Sequence, residues 1–393
     1  MAPDVQVVWS PALLAYDFGD GHPMAPLRLD LTMSLARDLG LLDGPGVRLV
    51  GAEPVTDAVL ETVHEPAYVA AVRAASERGT SDPDRGLGTA DDPVFAGMHE
   101  AAARVVGGSV EGALAVWRGE AEHAVNLTGG MHHAMPGGAS GFCVYNDAAV
   151  AIRALLDEGA ERVAYVDIDA HHGDGVQRVF WDDPRVLTLS VHESGHSLFP
   201  GTGHPRETGG PGAEGSAVNV ALPAHTGDAG WLRAIDAVVP AVLRAFAPDV
   251  VVSQHGCDAH VEDPITNLSV SIDAERVAAQ WLHELAHEVA GGRWLALGGG
   301  GYAVVDVVPR AWSHVIAVAT HRPVDPATRT PESWHAEVVA RYGRRGPARM
   351  TDGADAAFRP WGAGYDPADD VDRAVRATRA AVFPLLGLDP END

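Results

Sequence analysis

VAYVDIDAHHGDG, residues 163–175, decides the fold and points to the chemistry. Its first residues are apolar at consecutive positions, as a strand buried on both faces requires. A polar, glycine-containing stretch follows at once. Seven further runs read the same way: VQVVW (5–9), VRLV (47–50), HAVNL (123–127), VLTLSVH (186–192), VNVAL (218–222), VVVSQ (250–254) and WLAL (294–297). Amphipathic or Ala-rich stretches at 97–117, 146–158, 230–246 and 274–290 separate them. Strands alternating with helices predict an α/β fold with a central, mostly parallel, eight-stranded sheet and helices on both faces. No internal repeat, low-complexity linker or shift of composition divides the chain. A single domain over 1–393 is therefore expected, with a motif-bearing core at about 5–320 and a less patterned C-terminal extension at about 321–393 that closes in a helix near 369–382.

The 393 residues carry 54 acids against 28 bases, a formal charge of -26, and every base is an arginine. An acidic surface repels phosphate, so nucleic acid and anionic membrane are not expected as partners. Most of the imbalance reads as solubility and compositional bias. No segment approaches the ~18 uninterrupted apolar residues of a membrane span, and no basic stretch precedes an apolar one at the start, which predicts a soluble cytoplasmic protein. Cys143 and Cys257 do not make a disulfide framework, as a reducing compartment would have it. The hydrophobic content of 46% suffices for an extensive core.

In open α/β sheets ligands bind beyond the carboxyl ends of strands. Polar residues directly after apolar runs occur at 129–147, 167–175, 254–264 and 298–302. Asp167, Asp169 and His171 stand at i, i+2 and i+4, so in a continued strand they project to one side. Buried together they need a cation, and carboxylate oxygen and neutral imidazole both donate to zinc. A salt-bridged strand end would instead need cationic side chains, which the motif lacks. Asp258 in SQHGCDAH adds a third ligand at another strand end. Three protein ligands leave a position open for water or a substrate oxygen, and hydrolysis is the chemistry this favours.

GGMHHAMPGGASGFCVYND (129–147) places His132 and His133 side by side in a glycine-rich loop. Adjacent histidines there can serve as general base and acid if carboxylates fix their tautomers, and Asp167 and Asp174 are available. By itself such a pair would as readily mark a surface turn. Tyr302 ends LGGGGY, where its phenol stays protonated at neutral pH and suits a developing oxyanion. Phosphate binding by these glycines is not expected, because no GK[ST] follows them. HELAH (283–287) matches the zincin helix motif in spelling, but Trp281, Leu282, Leu285 and Val289 suffice to dock an amphipathic helix with the histidines on its more polar side. GPGAEG (210–215) precedes a strand instead of opening a helix, so it reads as a loop and not a dinucleotide site.

Together these motifs resemble the zinc-dependent histone deacetylase family of the arginase/deacetylase superfamily, most closely its bacterial acetoin-utilisation branch. The resemblance runs through GHPMAPLRL (21–29), GTADDPVFAGMHEA (88–101), the His132–His133 loop, DIDAHHGDG (167–175), SVHESGHSLFPGTG (190–203), QHGCDAH (254–260) and GGGGY (298–302), and fades beyond about Trp312. It implies zinc, or iron in the cell, on Asp169, His171 and Asp258, with Tyr302 as transition-state donor. His133 backed by Asp174 would be the main base and acid, and His132 backed by Asp167 mainly electrostatic. Phe142 and Phe199 would line a narrow tube with Gly141 and Gly300 at its walls, Asp91 would hold the substrate backbone at the rim, and Arg28 would line an internal cavity for acetate. A structural potassium ion is implied near Asp167, Asp169, His171, Ser190 and Val191.

Read from the residues alone, Asp91 or Asp92 ahead of Pro93 would be a helix N-cap, and Phe142 and Phe199 core residues. His260 and Gly173 stand where the related arginases would place further acids, which argues for one metal. The expected reaction is hydrolysis of N-acetyl-lysine on a protein or peptide. A deacetylase of small acetylated amines such as acetylpolyamines shares every catalytic residue. A non-catalytic binder of acetylated ligands would not need the full set of ligands, histidines and tyrosine.

Overall fold

The computed structural model describes residues 4–393, so the first three residues of the expected domain lie outside the described residues. The eight apolar runs become eight strands: β1 (Asp4–Val8), β2 (Val47–Val50), β3 (Ala121–Asn126), β4 (Val163–Asp167), β5 (Val186–Glu193), β6 (Ala217–Leu222), β7 (Val250–Gln254) and β8 (Trp294–Leu297). They form one sheet in the order β2-β1-β3-β8-β7-β4-β5-β6. Every pairing among the described residues is parallel, so the sheet is more uniform than the mostly parallel one expected.

Both faces of the sheet are covered, which is why its strands show no polar alternation. On one face Val163 and Tyr165 pack with Ile152 and Leu155 of the helix Asp147–Asp157. On the other, Ala164 and Val166 join the cluster that holds Trp231 and Val238 of the helix Asp228–Phe246. The helices Met98–Trp117 and Ile272–Ala290 fill the other two stretches expected to be helical. The chain winds outward from β1 and again from β4, then returns to place β7 and β8 between β3 and β4. The four polar stretches singled out above therefore leave the carboxyl ends of four adjacent central strands, β3, β8, β7 and β4.

Three local expectations change. No helix begins at Pro93; the helix starts at Met98 behind Gly97, so neither Asp91 nor Asp92 is its N-cap. Strand β4 stops at Asp167, short of Asp169 and His171. In the helix Ile272–Ala290, Leu282 and Leu285 are buried as expected, but His283 and His287 are half-buried, their rings edge-on to His123, and do not form a fully solvated polar face. GPGAEG is a loop ahead of β6.

The segment from 321 onward returns to the core in two helices. In Glu332–Tyr342, Trp334 is buried beside Leu31 and Leu35 and donates to the Leu31 carbonyl at 3.0 Å. The helix Asp370–Val382 packs on β6 and on Asp228–Phe246. Its Asp372 carboxylate receives Arg233 Nε at 2.5 Å and Nη2 at 2.9 Å, both side chains being buried, while the same guanidinium donates to the carbonyls of Arg359, Pro360 and Gly364. Breaking a buried pair from one side leaves the other charge uncompensated, at a cost of about 3–5 kcal/mol. Asp372→Ala is expected to lose about that much in urea or guanidinium unfolding.

Candidate active site

The ligand set predicted from the VDIDAHH spacing comes together by a different local geometry. Because β4 ends at Asp167, successive carboxylates cap the turning chain: Asp167 Oδ1 accepts from Asp169 N at 3.1 Å and Asp169 Oδ1 from His171 N at 2.9 Å. His171 Nδ1 then lies 3.1 Å from Asp169 Oδ1 and 2.9 Å from Asp258 Oδ2. One donor atom from each residue falls within 4.8 Å of the others, and all three side chains are buried. Burial opposes charge on His171, yet the Asp258 and Asp169 carboxylates outweigh it and raise the imidazole pKa. Burial and the nearby Asp169 push Asp258 up to about 6.

These features fit a divalent ion. The other groups donating to the two carboxylates are Ala170 N to Asp258 at 2.8 Å, and Gly300 N at 2.9 Å and Gln254 Nε2 at 2.7 Å to Asp169. None is cationic, so the only cationic group in hydrogen-bond reach of these two buried carboxylates is the His171 imidazole. Gly300 must be glycine here, since a Cβ would collide with Asp258 Oδ2. His260, by contrast, turns its Nε2 to Asp352 at 2.9 Å, a tie to the C-terminal segment.

The histidine loop after β3 completes two buried dyads. His132 Nδ1 meets Asp167 Oδ2 at 2.8 Å, His133 Nδ1 meets Asp174 Oδ1 at 2.7 Å, and the two Nε2 atoms are 3.1 Å apart. Their surroundings push them in opposite directions. Burial disfavours charge on His132, but Asp167 and Asp169 override it and raise its pKa to about 9. Burial, together with the charge on His132, lowers His133 to about 4 against the pull of Asp174. At neutral pH the pair therefore holds one positive charge, on His132, and one neutral base, His133.

A cavity of about 280 Å³ opens onto these groups. His132, His133, Asp169, His171 and Tyr302 line it, as do all five residues expected at the tube and rim: Asp91, Gly141, Phe142, Phe199 and Gly300. Gly141 adopts φ 54° and approaches His133 so closely that a Cβ would strike its ring. Phe199 packs edge-on to His133 at 5.0 Å between ring centroids and Phe142 edge-on to Tyr302 at 5.6 Å, so these aromatics form walls and not core. Burial and the Asp258 charge raise the Tyr302 phenol well above its ordinary pKa, which keeps it a proton donor.

Arg28 is buried behind this site, its Nη1 donating to Gly299 O at 2.8 Å and to Gly301 O at 3.4 Å. It thus braces the glycine loop that carries Tyr302. The cavity beside Arg28 measures about 10 Å³, about the room one water needs and less than acetate. The strand register sets Ser190 against Asp167, which brings Ser190 and Val191 beside the Asp167–His171 turn.

Three supporting residues escaped the sequence reading. Gln254, the last residue of β7, orients Asp169 through its amide. Asp147 gathers Gly130 N at 3.0 Å and Met131 N at 2.7 Å, fixing the histidine loop. Asp263 accepts Tyr302 N at 2.8 Å and so sets the tyrosine's backbone. A polar residue at a strand end was the available signal for Gln254. Nothing local marked the other two.

A model of the histone deacetylase domain matches residues 22–319. The acetoin utilization protein AcuC of Bacillus subtilis (strain 168) is 43% identical over 337 residues, covering 84% of this chain and 85% of that protein. AcuC of Staphylococcus aureus (strain MSSA476) is 39% identical over 320 residues, covering 81% and 82%. Among solved structures the HDA15 HD domain superposes with a TM-score of 0.74 at 28% identity, over 82% of this chain and 91% of that one. The chain belongs to the histone deacetylase family, which hydrolyses acetylated substrates and generally binds a metal.

Proposed function

We propose that this protein hydrolyses the N-acetyl group of acetyl-lysine on proteins or peptides, using zinc or iron held by Asp169, His171 and Asp258. The observation that carries the reading is a cavity lined by Asp169, His171, Tyr302 and two carboxylate-backed histidines, His132 and His133, with Asp258 Oδ2 2.9 Å from His171 behind its wall. A bound divalent ion supplies Lewis acidity, polarising an acetyl carbonyl and lowering the pKa of water toward about 7. His133 Nε2 takes a proton from the attacking water and returns one to the leaving amine. Its other nitrogen stays on Asp174, which fixes the tautomer. His132 holds its charge on Asp167 and stabilises the negative charge that builds on the acetyl oxygen. The Tyr302 hydroxyl donates to the same oxygen. Phe142 and Phe199 admit a methylene chain, and Asp91, exposed at the rim, receives the substrate's backbone N–H groups. A potassium ion beside Asp167, Ser190 and Val191 would stiffen the turn that carries the ligands. Escape of acetate past Arg28 requires the side chains around its small cavity to move. Free, buried Cys143 and Cys257 suit a reducing cytoplasm.

Deacetylation of small acetylated amines uses the same groups, and kcat/KM on acetyl-lysine peptides against acetylated polyamines separates the two. Preference for the peptide, with activity lost on chelation and restored by zinc, is the expected result. Acetyl-peptide binding without acetate release would overturn the proposal.

Asp174 raises the basicity of His133, so Asp174→Asn leaves a weaker base with a less certain tautomer. The rate is expected to fall about 10- to 100-fold. The acid limb of the kcat/KM profile moves to lower pH, because the carboxylate that raised the histidine pKa is gone. A merely structural role for Asp174 would leave that limb in place.

A further inference from the structure

Opposite the catalytic end of the sheet, four histidines from three separate parts of the chain converge. His123 lies near the start of β3, paired in register with Trp294, the first residue of β8. His283 and His287 stand at i and i+4 on the helix Ile272–Ala290, on one face. His321 follows the helix Val308–Ala319. One ring nitrogen from each lies within 4.8 Å of the others. The Nε2 atoms of His283 and His287 are already 3.2 Å apart. Four nitrogens around a tetrahedral zinc with bonds of about 2.0–2.1 Å stand roughly 3.3 Å apart, so modest closure would complete the shell.

The His123 ring points to a ligand independently. It is fully buried, its Nδ1 is tied to the Ala319 carbonyl at 2.8 Å, and its Nε2 has no hydrogen-bond partner. Such a nitrogen is costly to bury unless something satisfies it. Its tautomer is set by the backbone bond, as the outer nitrogen of a metal-bound histidine usually is. Glu122 accepts from His321 Nε2 at 3.2 Å and orients the fourth ring. Burial lowers His123 to about 4 and His283 to about 3, leaving neutral imidazoles at neutral pH.

We propose that His123, His283, His287 and His321 form a second metal site, which takes a divalent ion of the zinc class and clips β3 to the helix Ile272–Ala290 and to the turn that follows the helix Val308–Ala319. Four protein ligands make a closed, structural site. The zincin reading of HELAH does not follow from it. Glu284, which would be the general base, is exposed on the other side of the helix, in a groove with Pro240 and Arg244. The partly exposed His283, His287 and His321 give the ion its way in.

The test is zinc stoichiometry on the full chain, stripped of metal and dialysed against buffered micromolar Zn²⁺. His283→Gln/His287→Gln is expected to bind one equivalent fewer than wild type, whatever the catalytic site holds, and to lose the rise in Tm that this equivalent brings. Acetyl-lysine hydrolysis by the variant continues, since its catalytic groups lie at the other end of the strands. His321→Gln, at an exposed position that no core packing depends on, is expected to weaken the same equivalent at least tenfold and serves if the double variant does not fold. Equal zinc content in wild type and both variants would overturn the proposal.

Discussion

His133→Ala is expected to lower kcat/KM on an acetyl-lysine peptide by about 100- to 10,000-fold, the range over which a positioned general acid–base contributes. The metal content should stay at the wild-type level, because His133 touches no ligand by hydrogen bond. The reason to expect the loss at His133 and not equally at His132 is electrostatic. Both rings are buried and each has a carboxylate, yet His132 sits beside Asp167 with Asp169 behind it and holds its proton up to about 9. His133 has Asp174 alone and feels the charge on His132, which leaves it neutral. A neutral imidazole can accept a proton, and a permanently charged one cannot. His132→Ala removes a charge and should therefore act on transition-state stabilisation, with a smaller effect than His133→Ala. If the two substitutions cost the same, or His132→Ala cost more, the division of roles drawn from their surroundings would be wrong.

How much of this was legible in the sequence follows from what each residue's neighbours are. Buried parallel strands must be largely apolar on both faces, so HAVNL, VAYV, VVVSQ and WLAL announced themselves and their four trailing loops were found. The residues proposed as metal ligands were picked out by a rule that holds only in part. Alternation along a strand selected Asp167, Asp169 and His171, but β4 ends at the first of them and hydrogen bonds from side chain to backbone carry the chain onward. Both arrangements bring Asp169 and His171 to one side, where Asp258 meets them. Roles that depend on distant backbone did not. Asp147 accepts from Met131 N across 16 residues of the histidine loop, Asp263 from Tyr302 N across 39, and Arg233 meets Asp372 at 139 residues' remove. The same blindness affected HELAH. Its two histidines look like a polar helix face until His123 and His321 arrive from elsewhere in the chain.

Tyr302→Phe removes one oxygen from the cavity wall, and kcat is expected to fall about 100- to 1,000-fold, as when a single oxyanion donor is lost. KM and metal content should change little, since the phenylalanine ring keeps the edge-on packing that Tyr302 makes with Phe142. The size of the effect depends on how firmly the hydroxyl is aimed, and that depends on groups the reaction never touches. Asp263 fixes the backbone at Tyr302, and Arg28 holds the carbonyls of Gly299 and Gly301 on either side of the loop. Arg28 also lies 5.9 Å from the Tyr302 ring centroid. A donor held this way costs no reorganisation when charge develops, whereas a loosely held phenol would contribute little more than water does. Asp263→Asn keeps the tyrosine while weakening its anchor, so it should reproduce part of the kcat loss with the hydroxyl still present. Full turnover by Tyr302→Phe with metal bound would mean that the oxyanion is stabilised elsewhere, and the placement of Arg28 and Asp263 would then need another explanation.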